Sequence, residues 1–473
     1  MSGLGSTCAG ATAGGTLTEL IALGSADRYL TMNATITFWR FRYKKYTNFA
    51  LESIEQPFSS NVAFGSDVQV TLNRTGDLIY YQYVVIDLPG IKAVEPTPGI
   101  CGIGQNMFPA CGACDPCDDG EAPQCVCCPA SAQEEETVLE EIDGIDPCTG
   151  LQTPYAHWVN AVGQFLVKRA CLVIGGQVID TLFNDYLFFW EELSGRPGAR
   201  LTEMIGKRFT RAQLVADSQL DRRLYVPLPF FYTLTSGNAL PLVSLQFHGV
   251  QIHVCFEDLQ RSVQVSDADV LVVKCRDCQP LTVNDLVARL DTTYVYLDVA
   301  ERDKFAVGSF EQLVSQLQCY TICTKSCQIR VQLNFNHPII ELIWAVRRRC
   351  QDACNNHFNF SGKWGRDPIT FVHLRFNNLP RFTGREAKYF RLVQPYQHHT
   401  NIPDAFIYCY SFALHPEDPQ PSGSVNFSRI DNVELILEIQ QELQDEELQV
   451  IVFGRNWNVM RYREGLGGLS FAN

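Results

Sequence analysis

Apolar and polar residues alternate across Ala405–Ile439, AFIYCYSFALHPEDPQPSGSVNFSRIDNVELILEI. Phe406, Tyr408, Tyr410, Phe412 and Leu414 share one face at a period of two. Val433, Leu435, Leu437 and Ile439 do the same, with Glu434 and Glu438 on the opposite face. That period belongs to half-buried strands. The Pro/Asp/Ser/Gly stretch Pro416–Gly423 between them reads as a loop. The pattern is echoed upstream. Val226, Leu228, Phe230, Tyr232 and Leu234 alternate, Thr235–Asn238 turns, and Val250, Ile252, Val254 and Phe256 alternate again. A second echo joins Leu172–Asp180 (LVIGGQVID) to Leu374–Phe382 (LRFNNLPRF). Each has two short apolar strands around a dipeptide that tolerates positive φ, Gly175-Gly176 or Asn377-Asn378, as a two-residue hairpin requires. One β module, used twice, is predicted.

The same reading predicts strands at Ile36–Tyr43, Val68–Leu72, Leu78–Leu88 and from Phe165 to the Gly175-Gly176 turn. Others follow at Thr293–Val299, Gln328–Phe335, Pro338–Val346, Ile369–Phe382, Ala405–Leu414, Val425–Ile439 and Val450–Val459. Helices are expected at Phe183–Leu193 and Thr202–Leu214. Each half then holds about eight antiparallel strands with Greek-key-length connections, the pattern of a jelly roll. A chain of 473 residues exceeds one core, and about two domains are expected. The expected division is a small-residue arm at 1–25, a first jelly roll at 26–302 and a second at 303–473, with charged Glu301–Lys304 at the boundary. Pro89–Pro154 breaks the period and reads as an insertion between strands, while Gly465–Gly468 (GLGG) reads as a flexible tail.

A net charge of −14 argues against non-specific nucleic-acid binding by the bulk surface, since phosphate contacts need clustered Lys and Arg. Ile36–Tyr43 does carry a basic face, Arg40 and Arg42 with Lys44 beyond, which suits a solvated or lightly paired surface, a neighbour, nucleic acid or a membrane surface. The N-terminus has no positive region followed by an apolar core, so no secretory signal is expected, and no apolar run is long enough to span a membrane. Nineteen cysteines without such a signal suggest reducing conditions.

The chemistry that stands out is the insertion. It holds eight cysteines between Cys101 and Cys148, with Cys111-x-x-Cys114-x-x-Cys117 followed by Cys125, Cys127 and Cys128. The paired spacing suits tetrahedral zinc, the crowded second group suits disulfides equally, and free thiols in a loop are the bland alternative. Large apolar side chains are few there, so packing alone would not offset the backbone entropy of ordering it. A cupin-type metal enzyme needs two His one residue apart and a following Glu. Here His398 and His399 are adjacent, His248 and His253 fall on opposite faces of one strand, and His337 precedes a proline in a turn. No nucleophile-elbow, zincin or phosphate-loop motif occurs, so no catalysis is expected. Sequons stand at Asn33, Asn73, Asn359 and Asn426, of which Asn359 is expected in an outer loop.

With these residues laid out, the chain resembles the double-jelly-roll major capsid proteins of nucleocytoplasmic large DNA viruses. The resemblance rests on Asp27–Glu52, Thr75–Leu78, Val173–Asp185, Tyr225–Val254, Leu333–Pro338 (LNFNHP), Val393–Tyr396, Tyr410–Asn432 and the ending Asn456–Asn473 (NWNVMRYREGLGGLSFAN). The cysteine insertion and the polar Arg347–Gly365 loop depart from the family pattern. The resemblance implies an all-β fold of two tandem eight-stranded jelly rolls with long inter-strand loops and short helices. It also implies a structural role in which a homotrimer forms a pseudo-hexagonal capsomer tiling an icosahedral shell. Implied partners are further copies of the chain, neighbouring capsomers, minor capsid or cement and penton proteins, and internal membrane-associated proteins, with no sequence-specific nucleic acid. The implied location is the virion capsid, assembled in the host cytoplasm. The alternative is a double-jelly-roll glycan-binding surface protein.

Strands in such a barrel run antiparallel, so alternate connections emerge at one end. The insertion, Cys275/Cys278, Cys319/Cys323/Cys327 and Cys350/Cys354 are all expected in connections at that end, which faces outward in the family. Cys171, Cys255 and Cys409, inside strands, are expected to stay reduced.

Overall fold

Sixteen strands form two barrels with one plan. The structure, a computed structural model, describes residues 21–22, 32–33, 45–94, 154–195, 201–266 and 270–471. The arm and the strand expected at Ile36–Tyr43 lie outside the described residues, and so does nearly all of the insertion. Every element below belongs to the unit Phe49–Asn473. The strands of the first barrel are β1 (Phe49–Pro57), β2 (Asp67–Thr71), β3 (Leu78–Leu88), β4 (Val167–Ile174), β5 (Gln177–Phe183), β6 (Arg222–Pro227), β7 (Val250–Phe256) and β8 (Val287–Leu297). Those of the second are β9 (Phe310–Thr324), β10 (Gln328–Gln332), β11 (Pro338–Arg348), β12 (Ile369–Phe376), β13 (Leu379–Glu386), β14 (Tyr408–Ser411), β15 (Val433–Ile439) and β16 (Leu448–Arg463).

The sheets of the first barrel run β1-β8-β3-β6 and β2-β7-β4-β5, and those of the second run β9-β16-β11-β14 and β10-β15-β12-β13. Adding eight to every strand number converts one barrel into the other. Even the irregularities match: the two-residue strand Leu240–Pro241 pairs with the start of β3, and Val425–Asn426 with the start of β11. This is the double jelly roll. The hairpins Gly175-Gly176 and Asn377-Asn378 occupy equivalent positions, with φ of 58° and 82° in one and 48° and 65° in the other. Positive φ at both central residues gives the twist that a tight hairpin needs.

Several local expectations change. Alternation after Val226 does not continue as strand, because Pro227 and Pro229 remove ladder donors; Leu228, Phe230 and Tyr232 are instead buried as a packed loop. The predicted helix at Thr202–Leu214 is two, Thr202–Ile205 and Arg211–Ser218, because Gly206 ends the first at φ 75° and Thr210 caps the second. α1 (Asn184–Ser194) lies where the first helix was expected. Strand character begins at Val167, after a short helix at Val162–Leu166. The stems of the insertion are not loop: Ile91–Val94 pairs with Leu271–Lys274, and Ala156–Trp158 with Val263–Val265.

Ala405–Leu414 is strand only over Tyr408–Ser411, and Leu414 is exposed. Charged Glu301–Lys304 sits in α2 (Val299–Val307), between the two sets of sheets. Gly465–Gly468 is no flexible tail. Leu466–Leu469 is a strand paired with β16, and a Cβ on Gly467 would come within 2.4 Å of Leu245. Cys319 and Cys323 lie inside β9 rather than in a connection, since β9 pairs with β16 along its whole length. Among the described residues no helix is long and apolar enough to cross a membrane.

Candidate functional site

The barrels meet along a continuous seam built on the outer face of β11. The β11 sequence PIIELIWAVRR is buried at all but its first residue. Leu342, Trp344 and Val346 fill the second barrel's own core, whereas Ile343 and Ala345 join Phe453 and Ile451 of β16 in a core shared with the first barrel. A strand buried on both faces must be apolar at successive positions rather than alternate ones.

The first barrel supplies α1 as the wedge. Phe189 packs edge-on against Phe453 and Phe360, Phe188 stacks on Phe358 at 4.4 Å, and Tyr186 meets Phe453 at 5.5 Å. The Arg347–Gly365 segment, expected to be a polar outer loop, is the other half of this contact. His357 stacks on Phe165 at 4.0 Å, and Asn355 donates to the Gln260 and Val263 carbonyls at 2.7 Å each. The segment is polar by composition but drops its few apolar side chains into the seam. Asn359 is held there too, donating to Gln351 at 3.2 Å and accepting from the Ser361 hydroxyl at 2.6 Å.

Two charged clusters lock the seam. In the first, Glu341 of β11 accepts from Arg455 at 2.7 Å and lies 2.9 Å from His399 Nε2, whose Nδ1 lies 2.9 Å from Glu417. The Arg455 guanidinium sits 4.4 Å from the Trp190 ring of α1, which carries the contact across the seam. Burial alone would push Glu341 up, but His399 and Arg455 hold it down at about 2. Burial alone would lower His399, and its flanking carboxylates raise it well above its ordinary value. Two carboxylates thus face two cations, with Glu341, His399 and Arg455 sealed from solvent and Glu417 at the partly exposed rim. Pairing of this kind is the condition under which a buried ion cluster persists.

In the second cluster, Asp352 accepts from Arg261 at 2.8 Å and pairs with His357 at 2.7 Å, while Arg347 pairs with Asp185 of α1. Burial would raise Asp352, yet His357, Arg261 and Arg347 hold it well below the carboxylate range. Deeper in, Asp180 accepts the Leu317 N–H at 3.0 Å from across the seam. Its burial raises it to about 7, against those backbone donors. In both clusters acids face bases contributed by different elements, so the arrangement fixes the relative placement of two barrels.

The cysteine candidates Cys111, Cys114, Cys117, Cys125, Cys127 and Cys128 lie outside the described residues. Among the described residues no group of His, Cys, Asp and Glu could hold a metal ion. Cys354 is buried and disulfide-bonded, whereas Cys171, Cys255 and Cys409 are free. Sequence reasoning missed the Glu341–His399–Glu417–Arg455 cluster because its members share no spacing. One signal was available: an acidic residue inside the apolar run of β11 demands a buried partner.

Residues 301–468 match the family described as large eukaryotic DNA virus major capsid protein, and residues 37–107 and 137–298 match major capsid protein N-terminus. The chain is 32% identical over 486 residues to the major capsid protein of Pyramimonas orientalis virus, covering 97% of this chain and 100% of that one. It is 30% identical over 576 residues to that of Phaeocystis pouchetii virus, with the same coverage. A quasi-atomic capsid structure of Paramecium bursaria Chlorella virus 1 superposes with a TM-score of 0.66 at 24% identity, over 92% of this chain and 100% of that one. The Faustovirus major capsid protein does so at 0.63 and 12% identity, over 94% and 96%.

Proposed function

The chain belongs to the major capsid proteins of the large eukaryotic DNA viruses, and we propose that three copies close into the pseudo-hexagonal capsomer that tiles an icosahedral shell. The observation that carries this reading is the duplication itself. Two barrels of one plan, held rigidly by a buried seam, let three chains present six similar units, and a closed ring of heterologous contacts buries all of them. The role is structural. The alternative, glycan binding, has no support among the relatives reported above, which are capsid proteins.

In this reading the first barrel comprises residues 26–302 and the second 303–473, with α2 as the link and residues 1–25 as an arm ordered on assembly. Neighbouring capsomers, minor cement and penton proteins and internal membrane-associated proteins are the partners, and assembly takes place in the host cytoplasm. The connections β3–β4, β7–β8 and β9–β10 leave one end of the barrels and carry the insertion, Cys275/Cys278 and Cys327, whereas Cys354, in the β11–β12 connection expected beside them, is buried in the seam. They would make a cysteine-rich exterior crown, with disulfides or zinc bonding the cysteines of the insertion, while Cys275, Cys278 and Cys327 are free cysteines.

Electron microscopy and light scattering of the purified protein test the assembly. A pseudo-hexagonal trimer at micromolar concentration is expected, and a stable folded monomer would refute it. Thiol titration of intact particles tests the crown. Free, metal-less Cys111, Cys114, Cys125 and Cys128 would end that part of the reading.

A further inference from the structure

A cavity of about 540 Å³ opens where segments 157–161 and 207–212 of the first barrel meet Asn355–Asn359 of the second. Its wall holds Lys207, Arg208 and Arg211 and, among the described residues, no Asp or Glu. Acids outnumber bases along the chain by 52 to 38, so this wall is a local reversal of charge. Lys207 already pairs with Glu192, and Arg208 with Glu203 and Asp217. Arg211 differs. It donates to the Tyr155 hydroxyl at 3.1 Å and lies against that ring, and it meets no carboxylate among the described residues. It also opens the eight-residue helix Arg211–Ser218. Thr210 caps that helix at the Gln213 N–H, whereas the N–H groups of Arg211 and Ala212 have no partner among the described residues. Both residues line the cavity. A guanidinium without an acid and two unspent N–H groups at a helix start are the chemistry of anion binding.

His157 says what else the anion carries. It lines the same cavity and is 1% exposed. Its Nδ1 donates to the Trp158 carbonyl at 2.8 Å, which leaves Nε2 as an acceptor, and that atom has no partner among the described residues. Burial, with Arg211 adding to it against the Trp158 bond, holds the imidazole down at about 4, so the ring is neutral in ordinary conditions. A buried acceptor left unpaired is costly and calls for a donor. A bare anion would only repel it, so the ligand must bring a hydroxyl or N–H together with its negative charge. Phe209, 65% exposed on the cavity wall, offers an apolar face as well.

We propose that this cavity binds a phosphate monoester bearing hydroxyl groups, with the phosphate on Arg211 and the start of its helix and a hydroxyl donating to His157 Nε2. The volume falls within the range of small-molecule sites. Sugar phosphates and nucleotides share this chemistry, and a nucleotide adds a planar base for Phe209. Because both barrels contribute to the wall, the ligand ties one to the other, and its binding raises the thermal midpoint of the chain.

Isothermal titration calorimetry of the full-length protein at low salt tests this with four probes: ribose 5-phosphate, adenosine monophosphate, ribose and sulfate. Saturable binding of an ester at a single site per chain is expected. Ribose and sulfate each lack half of the required chemistry and should bind weaker by roughly tenfold or more, as loss of charge-assisted hydrogen bonds does. An ester that fails to bind, or binds no more tightly than sulfate, overturns the proposal. Equal affinities for the two esters assign a sugar phosphate. Tighter adenosine monophosphate assigns a nucleotide, and Phe209→Ala should then erase the difference. Arg211→Met, at a half-buried position without an ion pair, should leave the protein folded and weaken the ester by roughly tenfold or more. Wild-type affinity in that variant overturns the proposal even if His157→Phe does not fold. A folded His157→Phe that binds as tightly as wild type refutes the hydroxyl contact.

Discussion

The outer faces of β3 and β11 hold the same place in the fold and have opposite surroundings. β11 reads PIIELIWAVRR and is covered on both sides, whereas β3 reads LIYYQYVVIDL and buries Gln82, Val84, Ile86 and Leu88 on one side but, of Tyr81, Tyr83, Val85 and Asp87 on the other, Val85 alone. Tyr81 and Tyr83 stand half-exposed where Glu341 and Ile343 are sealed. Topology alone therefore does not decide what a strand must be made of; the neighbour that covers it does. The largest expected effect tests this directly. Glu341→Ala leaves His399 and Arg455 buried without their shared partner and should destabilise the chain by about 3–5 kcal/mol. Tyr81→Ala at the equivalent position should remove about 1–2 kcal/mol, as a half-exposed aromatic loses only part of its contacts. Denaturant unfolding followed by circular dichroism measures both, and similar losses would break the comparison.

What could be read from sequence follows the same division. Alternation located β2, β7 and β15 because each has one wet and one dry face, and the Gly-Gly and Asn-Asn pairs located both hairpins. The apolar run of β11 was legible as strand, but its second buried face became meaningful only once α1 lay against it. The failures came where tertiary packing overrides local pattern. Leu228, Phe230 and Tyr232 keep strand-like parity yet are loop, because the prolines around them cannot pair. The C-terminal glycines looked mobile because their packing against Leu245 and Phe247 spans more than two hundred residues of sequence. The charged clusters were illegible for the same reason: Glu341, His399, Glu417 and Arg455 converge only through the barrel.

The seam should also set how stability depends on pH. Glu341 falls from an ordinary 4.5 to about 2 in the fold. Its contribution is therefore complete above 4.5 and is lost as pH falls toward 2. Asp180 goes the other way, from 3.8 to about 7. The fold favours its protonated form, so that contribution is complete below 3.8 and disappears as pH rises through 7. His399, raised by its carboxylates, adds to the alkaline loss. Thermal midpoints measured between pH 3 and 9 should fall at both ends. Asp180→Asn keeps an acceptor for the Leu317 N–H without an ionisable proton, so it should flatten the alkaline limb by several degrees. A variant curve parallel to wild type from pH 5 to 9 would remove Asp180 from the account.

The smallest effects belong to the hairpins, where the barrels differ in what the turn touches. Gly176 has φ 82° and nothing within 4 Å of a Cβ. Gly176→Val therefore carries only the backbone strain of a β-branched residue in the left-handed region, about 1–2 kcal/mol. Gly175 has φ 58°, and a Cβ there would lie 2.6 Å from Nδ1 of His248. That imidazole lies 2.8 Å from the Gly467 carbonyl oxygen and 3.2 Å from its N–H, so the turn of the first barrel leans on the last strand of the second. Gly175→Val should consequently exceed Gly176→Val and loosen Leu466–Leu469 as well, visible as faster amide exchange there. The hydrogen bonds of the matching turn among the described residues stay within the second barrel, through Asn377, Asn378 and Asn432. Asn378→Gly should change stability by no more than a few tenths of a kcal/mol, since glycine adopts the same φ without strain. If Gly175→Val and Gly176→Val prove equal, the first hairpin is no part of the seam, and the two turns differ in sequence alone.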